Sequence, residues 1–299
     1  MNGNGQFADF LQARRAQVRP EDVGLKDYGE RRRVPGLRRE ELAMLAGISA
    51  PYYSRLEQGQ SRNASPEILD AIAAALRLDD SERAHLHALA RTTQRSRSTS
   101  RPRPERMTPA AAALLEAVGD TPAIALDRRS NVLAWNRTGH ALFAGHLDLD
   151  SPDDPARRPN MTKLVFLDAH TRGLYADWPA KARAVVGSLR LTAGQYPDDP
   201  ALASLIGELT MHSPQFAKLW ADHRVLACDV GDYEMRHPLV GTLTVSQQTL
   251  QSPAGSGPRL VVATAEPDSP SQTALALLSQ ATAPLRTTVG ADVAREKSA

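Results

Sequence analysis

The sequence predicts an α+β chain of two domains: a helical N-terminal third, and a larger remainder built on one antiparallel sheet with helices packed on one side. Three observations predict it. Residues 31–62 read RRRVPGLRREELAMLAGISAPYYSRLEQGQSR, two short helical patterns about a glycine. Residues 92–106, TTQRSRSTSRPRPER, hold no large apolar residue and read as a semi-flexible linker. Beyond them the apolar runs come as two strands, several helices, then three strands, a segregated order that suits a sheet with helices laid on it. At 299 residues the chain has the length of about two domains. We place them at 1–91 and 108–299, with the linker at 92–107.

The N-terminal elements follow from local chemistry. Leu42, Leu45 and Ala46 sit at i, i+3, i+4, the repeat of an amphipathic helix. Gly47 stops that helix, because glycine enters the left-handed C′ conformation without steric cost. Ser49 caps a second helix and Pro51 falls in its first turn, where a missing N–H is tolerated. Tyr53 and Leu56 point inward. Two helices about a tight glycine turn form a helix-turn-helix, whose second helix enters the DNA major groove. Arg38 and Arg39 open the first helix, where cations oppose the helix dipole and bring the isolated fold nothing. A bound phosphate reverses that sign. Arg31, Arg32 and Arg33 lie just upstream. Ser65-Pro66-Glu67 starts a further helix with Ile68, Leu69, Ile72, Ala73 and Leu76 buried. Asp79 to Glu82 place acid at the start of the last one, which carries Leu86 and Leu89. His85 and His87 are two apart on that helix and make a poor metal pair; no metal is expected.

In the remainder, 113–118 reads as a short helix. The runs 123–126 and 132–135 flank the polar cluster 127–131 as a β-hairpin. Asn136 caps a helix over 137–143. Helices follow over 161–167, 178–196 with a stop at Gly194, 198–212, and 215–223 started by Ser213-Pro214. Strands return at 225–236, 241–249 and 259–265, before a closing helix over 269–281.

Composition limits the function. No apolar run approaches the ~20 residues of a membrane span, and the start carries no secretory segment, so neither a membrane partner nor export is expected. The single cysteine, Cys228, allows no internal disulfide and suits the cytoplasm. The net charge of +2 conceals an asymmetry. Up to Met107 there are 19 Lys+Arg against 14 Asp+Glu; beyond it there are 17 against 20. The basic third is the expected nucleic-acid face.

The stretch from Phe7 to about Arg91 resembles the five-helix, lambda-repressor-like domain of XRE-type regulators, through FADFLQARRAQV, LRREELAMLAG, ISAPYYSRLEQG, SPEILDAIAAALRL and DDSERAHLHALA. The resemblance implies double-stranded DNA as partner. By position it places Ser49, Ala50, Pro51, Tyr52 and Arg55 toward the bases; Arg38 and Arg39 stay the phosphate candidates by their charge and place at the helix start. Arg55 suits a bidentate contact to guanine. Ala50 and Pro51 stand where several relatives have glutamine, so readout there is apolar. The segments VLAWNR, LDAHTRGLYADW, ELTMHSPQFAKLWADH, MRHPLVGTLTV and VVATAEPDSPS resemble the ligand-binding domain of MmyB-like regulators, which is PAS-like. That resemblance implies a small apolar ligand, with a fatty acid among the candidates, and control of secondary metabolism in actinomycete-type bacteria.

Ligand pockets are mostly apolar with a few converging polar groups. Trp135, Asn136, Trp178, Phe216, Trp220, His223, Arg236 and His237 offer that mix. Arg190, between Leu189 and Leu191, either meets a ligand carboxylate or bridges an acid such as Glu208. The function expected is a sequence-specific transcriptional regulator, a homodimer without a resident cofactor, whose second domain senses a ligand. The alternative is a second domain that only dimerises. An enzyme is disfavoured: Cys228, with His223 and His237 as partners, lies in a strand-like run, where cysteine is usually packing. No Gly-x-Ser-x-Gly elbow, phosphate loop or Rossmann glycine pattern occurs.

Overall fold

The computed structural model describes residues 3–25, 36–60, 64–94, 105–222, 230–251 and 257–283. The expectations for Arg31 to Arg33, for His223 and Cys228, and for a strand beginning at 225 lie outside them. The N-terminal part is α1 (Gly3–Gln17), a 3₁₀ turn (Pro20–Val23), α2 (Arg39–Leu45), α3 (Ala50–Glu57), α4 (Pro66–Ala75) and α5 (Asp80–Gln94). Phe10, Leu11, Leu42, Tyr53, Leu56, Ile72 and Leu86 form its core. The buried side of α2 is Leu42, Ala43 and Ala46, while Leu45 is 37% exposed. Because α2 packs on both α3 and α4, Ala43 turns inward and the expected Leu45 is left outside.

The second part runs α6 (Pro109–Ala117), β1 (Ala123–Leu126), β2 (Val132–Trp135), α7 (Arg137–Ala144), α8 (Met161–Leu167), α9 (Ala169–Leu174), α10 (Trp178–Gln195), α11 (Pro200–His212), α12 (Pro214–Ala221), β3 (Val230–His237), β4 (Gly241–Leu250), β5 (Arg259–Thr264) and α13 (Pro270–Thr282). The strands form one antiparallel sheet in the order β2-β1-β5-β4-β3. Side chains alternate across it. Ile124, Leu126 and Val261 face the large core with α7 to α12, whereas Ala123, Ala125, Leu260 and Val262 face α6 through Leu115 and Val118. The expectation of helices on one side only is therefore corrected. The second face of β1 and β5 is apolar too, and α6 covers it. The short helix α9, capped by Asp168 onto the Thr171 N–H at 2.7 Å, was not expected.

Gly194 does not stop α10. It is buried in the last turn, and a Cβ built there would stand 2.5 Å from His85 Cε1 and 3.2 Å from Leu89 Cδ2 of α5. A glycine there lets α10 lie directly against α5, and so joins the two parts of the chain.

Candidate nucleic-acid interface and ligand cavity

The turn between α2 and α3 is built as its residues require. Gly47 has φ +65°. The Ile48 N–H donates to the Ala43 carbonyl at 2.9 Å and the Gly47 N–H to Met44 at 3.2 Å, closing a Schellman motif. Ser49 Oγ accepts the Tyr52 N–H at 3.3 Å, capping α3. Tyr53 and Leu56 anchor α3 inward, and its outer face presents Ser49, Pro51 and Arg55 fully, with Ala50 and Tyr52 half-buried. Arg38 stands exposed at the N-cap of α2, where its own N–H donates to Glu41 Oε2 at 2.7 Å.

Arg39 needs a correction. Its Nε donates to Glu57, whose side chain is 1% exposed and also receives Arg15 at 2.6 Å. The carboxylate raises the Arg39 pKa through its hydrogen bond and charge. The fold therefore does gain from Arg39. With 45% of its side chain exposed, the guanidinium still reaches the surface.

In the second part, a cavity of about 100 Å³ lies between α10, α8 and the sheet. Its apolar wall includes Ile124, Leu126, Phe143, Met161, Val165, Val185 and Val261; Ser130, Thr162, Tyr175, Tyr233, Gln247 and Thr249 add polar groups. Two cations, Lys181 and Arg259, line it, and no Asp or Glu does among the described residues. Lys181 Nζ donates to Gln247 Oε1 at 2.7 Å and lies 4.1 Å from the Tyr233 ring centre and 4.9 Å from that of Tyr175. Burial pushes the Tyr175 phenol well above its ordinary value, so it is a neutral donor. Arg259 donates to Ser188 Oγ at 3.1 Å, Ser130 Oγ at 3.2 Å and the Asp127 carbonyl at 3.3 Å.

None of the described residues expected to line a ligand site lines this cavity. Trp135 Nε1 donates to the Leu149 carbonyl at 2.7 Å. Asn136 caps α7 through the Gly139 N–H at 2.7 Å, accepts the Ala123 N–H, and donates to the Gly119 and Thr121 carbonyls. Trp178 is buried and donates to the Val165 carbonyl at 2.8 Å. Phe216 and Trp220 stack at 5.6 Å. Arg190 donates to the Trp220 carbonyl and lies 4.4 Å from the centre of its ring; burial lowers its pKa to about 10. The bridge to Glu208 is overturned, since Glu208 pairs with Lys163 at 2.7 Å. His237 Nε2 donates to the Ala141 carbonyl at 2.9 Å, and its Nδ1 accepts the Leu239 N–H at 3.3 Å. With Arg236 it lines a separate, more open depression beside His170.

Sequence reasoning missed Lys181, Ala184, Val185 and Ser188. Their i, i+3, i+4, i+7 spacing on an expected helix was the available signal. Lys181 and Arg259 inside apolar patterns were the second.

A helix-turn-helix joined to a sheet domain with a cavity under α10 defines the class: a DNA-binding transcription regulator with a ligand-binding domain. Residues 6–86 match the family model of a helix-turn-helix domain, and residues 107–278 that of the MmyB-like transcription regulator ligand binding domain. The chain belongs to the MmyB-like transcription regulators. Comparison with curated proteins gives no match. Among the described residues no helix is long and apolar enough to cross a membrane.

Proposed function

We propose that the chain is a sequence-specific, homodimeric regulator acting in the cytoplasm, and that the cavity under α10 is where its ligand binds. The observation that carries this reading is the cavity lining, an apolar wall with Lys181 and Arg259 and no carboxylate among the described residues. Such a wall suits a ligand with an apolar body and an anionic end. Fatty acids belong to that class, and about 100 Å³ holds only part of a long chain within the walls. On the DNA side, Ser49, Ala50, Pro51, Tyr52 and Arg55 meet base edges, and Arg38 and Arg39 meet phosphates.

Two experiments test the two halves. Selection of duplex from genomic DNA at physiological salt should enrich one site; no enrichment, with only weak salt-sensitive binding, would remove sequence-specific reading from the free protein. Solvent extraction of the purified protein, with mass spectrometry, should release an amphipathic anion. Titration of decanoate and benzoate should then raise the unfolding temperature of wild type but not of Lys181→Met. An empty extract and no response to either anion would favour a domain that only dimerises.

A further inference from the structure

Helix α10 has two working faces. Lys181, Ala184, Val185 and Ser188 look into the cavity. Their spacing of three, four and seven makes one stripe, and Arg190, Leu191 and Gly194 lie around the axis from it. Leu191 packs into the core of the DNA-binding domain. Gly194 brings the α10 backbone onto His85 and Leu89 of α5, with no space for a methyl group. Arg190 stands near enough to His85 for its charge to depress that pKa. A second tie runs from Gln17 Nε2 of α1 to the Asp222 carbonyl after α12, 2.8 Å. Onward, α5 packs on α1, α1 packs on α3, and Arg15 of α1 holds Glu57 at the end of α3.

We propose that α10 carries cavity occupancy to the DNA-binding domain, through the close contact of Gly194 and Leu191 with α5. This rests on the cavity being the ligand site. One continuous hydrogen-bonded helix of 18 residues holds both faces, so a group that shifts the Val185 face outward moves the Gly194 face with it. A small cavity makes the effect stronger for a group wider than the space, which must displace its wall. Close-packed seams answer such a displacement by changing arrangement rather than by yielding.

Hydrogen exchange of the full chain, with no ligand added, tests the proposal. Val185→Trp fills the cavity from its α10 wall. The expected result is a several-fold change in exchange of α5 amides, which lie outside the cavity. In a Gly194→Val background, where the seam is already forced apart, Val185→Trp should add no further change at α5. If Val185→Trp does not fold, Val185→Phe replaces it. Gly194→Ala reads the same coupling from the other end, as a several-fold change at the Thr162 to Val165 and Gln247 to Thr249 amides. Changes confined to one side of the seam in each variant, or additive effects in the pair, overturn the proposal. Since no ligand enters the experiment, a failed search for a ligand leaves this result standing, and loss of coupling leaves the ligand reading standing.

Discussion

At Glu57 a carboxylate with a side chain only 1% exposed holds Arg15 of α1 on one oxygen and Arg39 of α2 on the other. Removing it strands Arg15, whose side chain is 10% exposed, without its charge partner. Breaking one side of a buried pair costs about 3–5 kcal/mol. We expect Glu57→Ala to destabilise the N-terminal domain by about that much in urea unfolding; a loss under about 1 kcal/mol would show that the pair does not fasten α1 to α3. The exposed arginines divide differently. Arg55→Ala should cost about 1–3 kcal/mol on the selected site and relax preference at one base pair. Arg38→Ala should weaken all duplexes alike and flatten the salt slope by about one. A competition assay across sequences and salt concentrations separates the two, and interchanged effects would reverse the assignment.

Between elements, α5 meets α10 at His85, which is 4% exposed and lies edge-on to Phe10 at 5.1 Å. Burial, and then the charge of Arg190, lower its pKa to about 4. The unfolded chain takes up this proton near ~6.5, the folded chain only near 4. Between those values the unfolded state binds more protons, so stability falls as pH drops from about 6.5 to about 4 and levels below. The contribution is at most about 3 kcal/mol. His85→Leu should flatten the stability curve in that window relative to wild type; parallel curves would show that His85 does not titrate there. This contact also marks where sequence reasoning stopped. Caps were legible because they are local: Ser49, Ser65, Asn136 and Ser213 each accept an N–H three residues on. Hence most helix and strand positions were legible with them. Glycine suits a helix end, so Gly194 reads as a stop in sequence, yet its role is set by a side chain 109 residues away. The cavity escaped for the same reason. Large aromatics suggested a pocket, but Trp178 and Phe216 fill the core, and the lining comes from alternate residues of strands whose register only the folded sheet defines.

For the whole molecule, the length of the recognition helix sets the requirement. α3 has 8 residues, so at 1.5 Å per residue it is about 12 Å long and spans a few base pairs. A genome offers roughly 10⁶–10⁹ competing positions, too many for one such helix to discriminate. On the proposed dimer, specific binding uses two copies of α3, each in its own stretch of major groove, related by a two-fold axis. The selected site should be a palindrome with half-site centres about 10 base pairs, or ~34 Å, apart, or a multiple of that spacing. The complex should contain two chains per duplex by native mass spectrometry. Inserting about five base pairs between half-sites rotates one by half a turn and should reduce affinity to that of a single half-site. Undiminished binding to the lengthened site, or one chain per selected duplex, would mean that a single domain supplies the specificity. Contacts beyond α3 would then have to provide the missing discrimination.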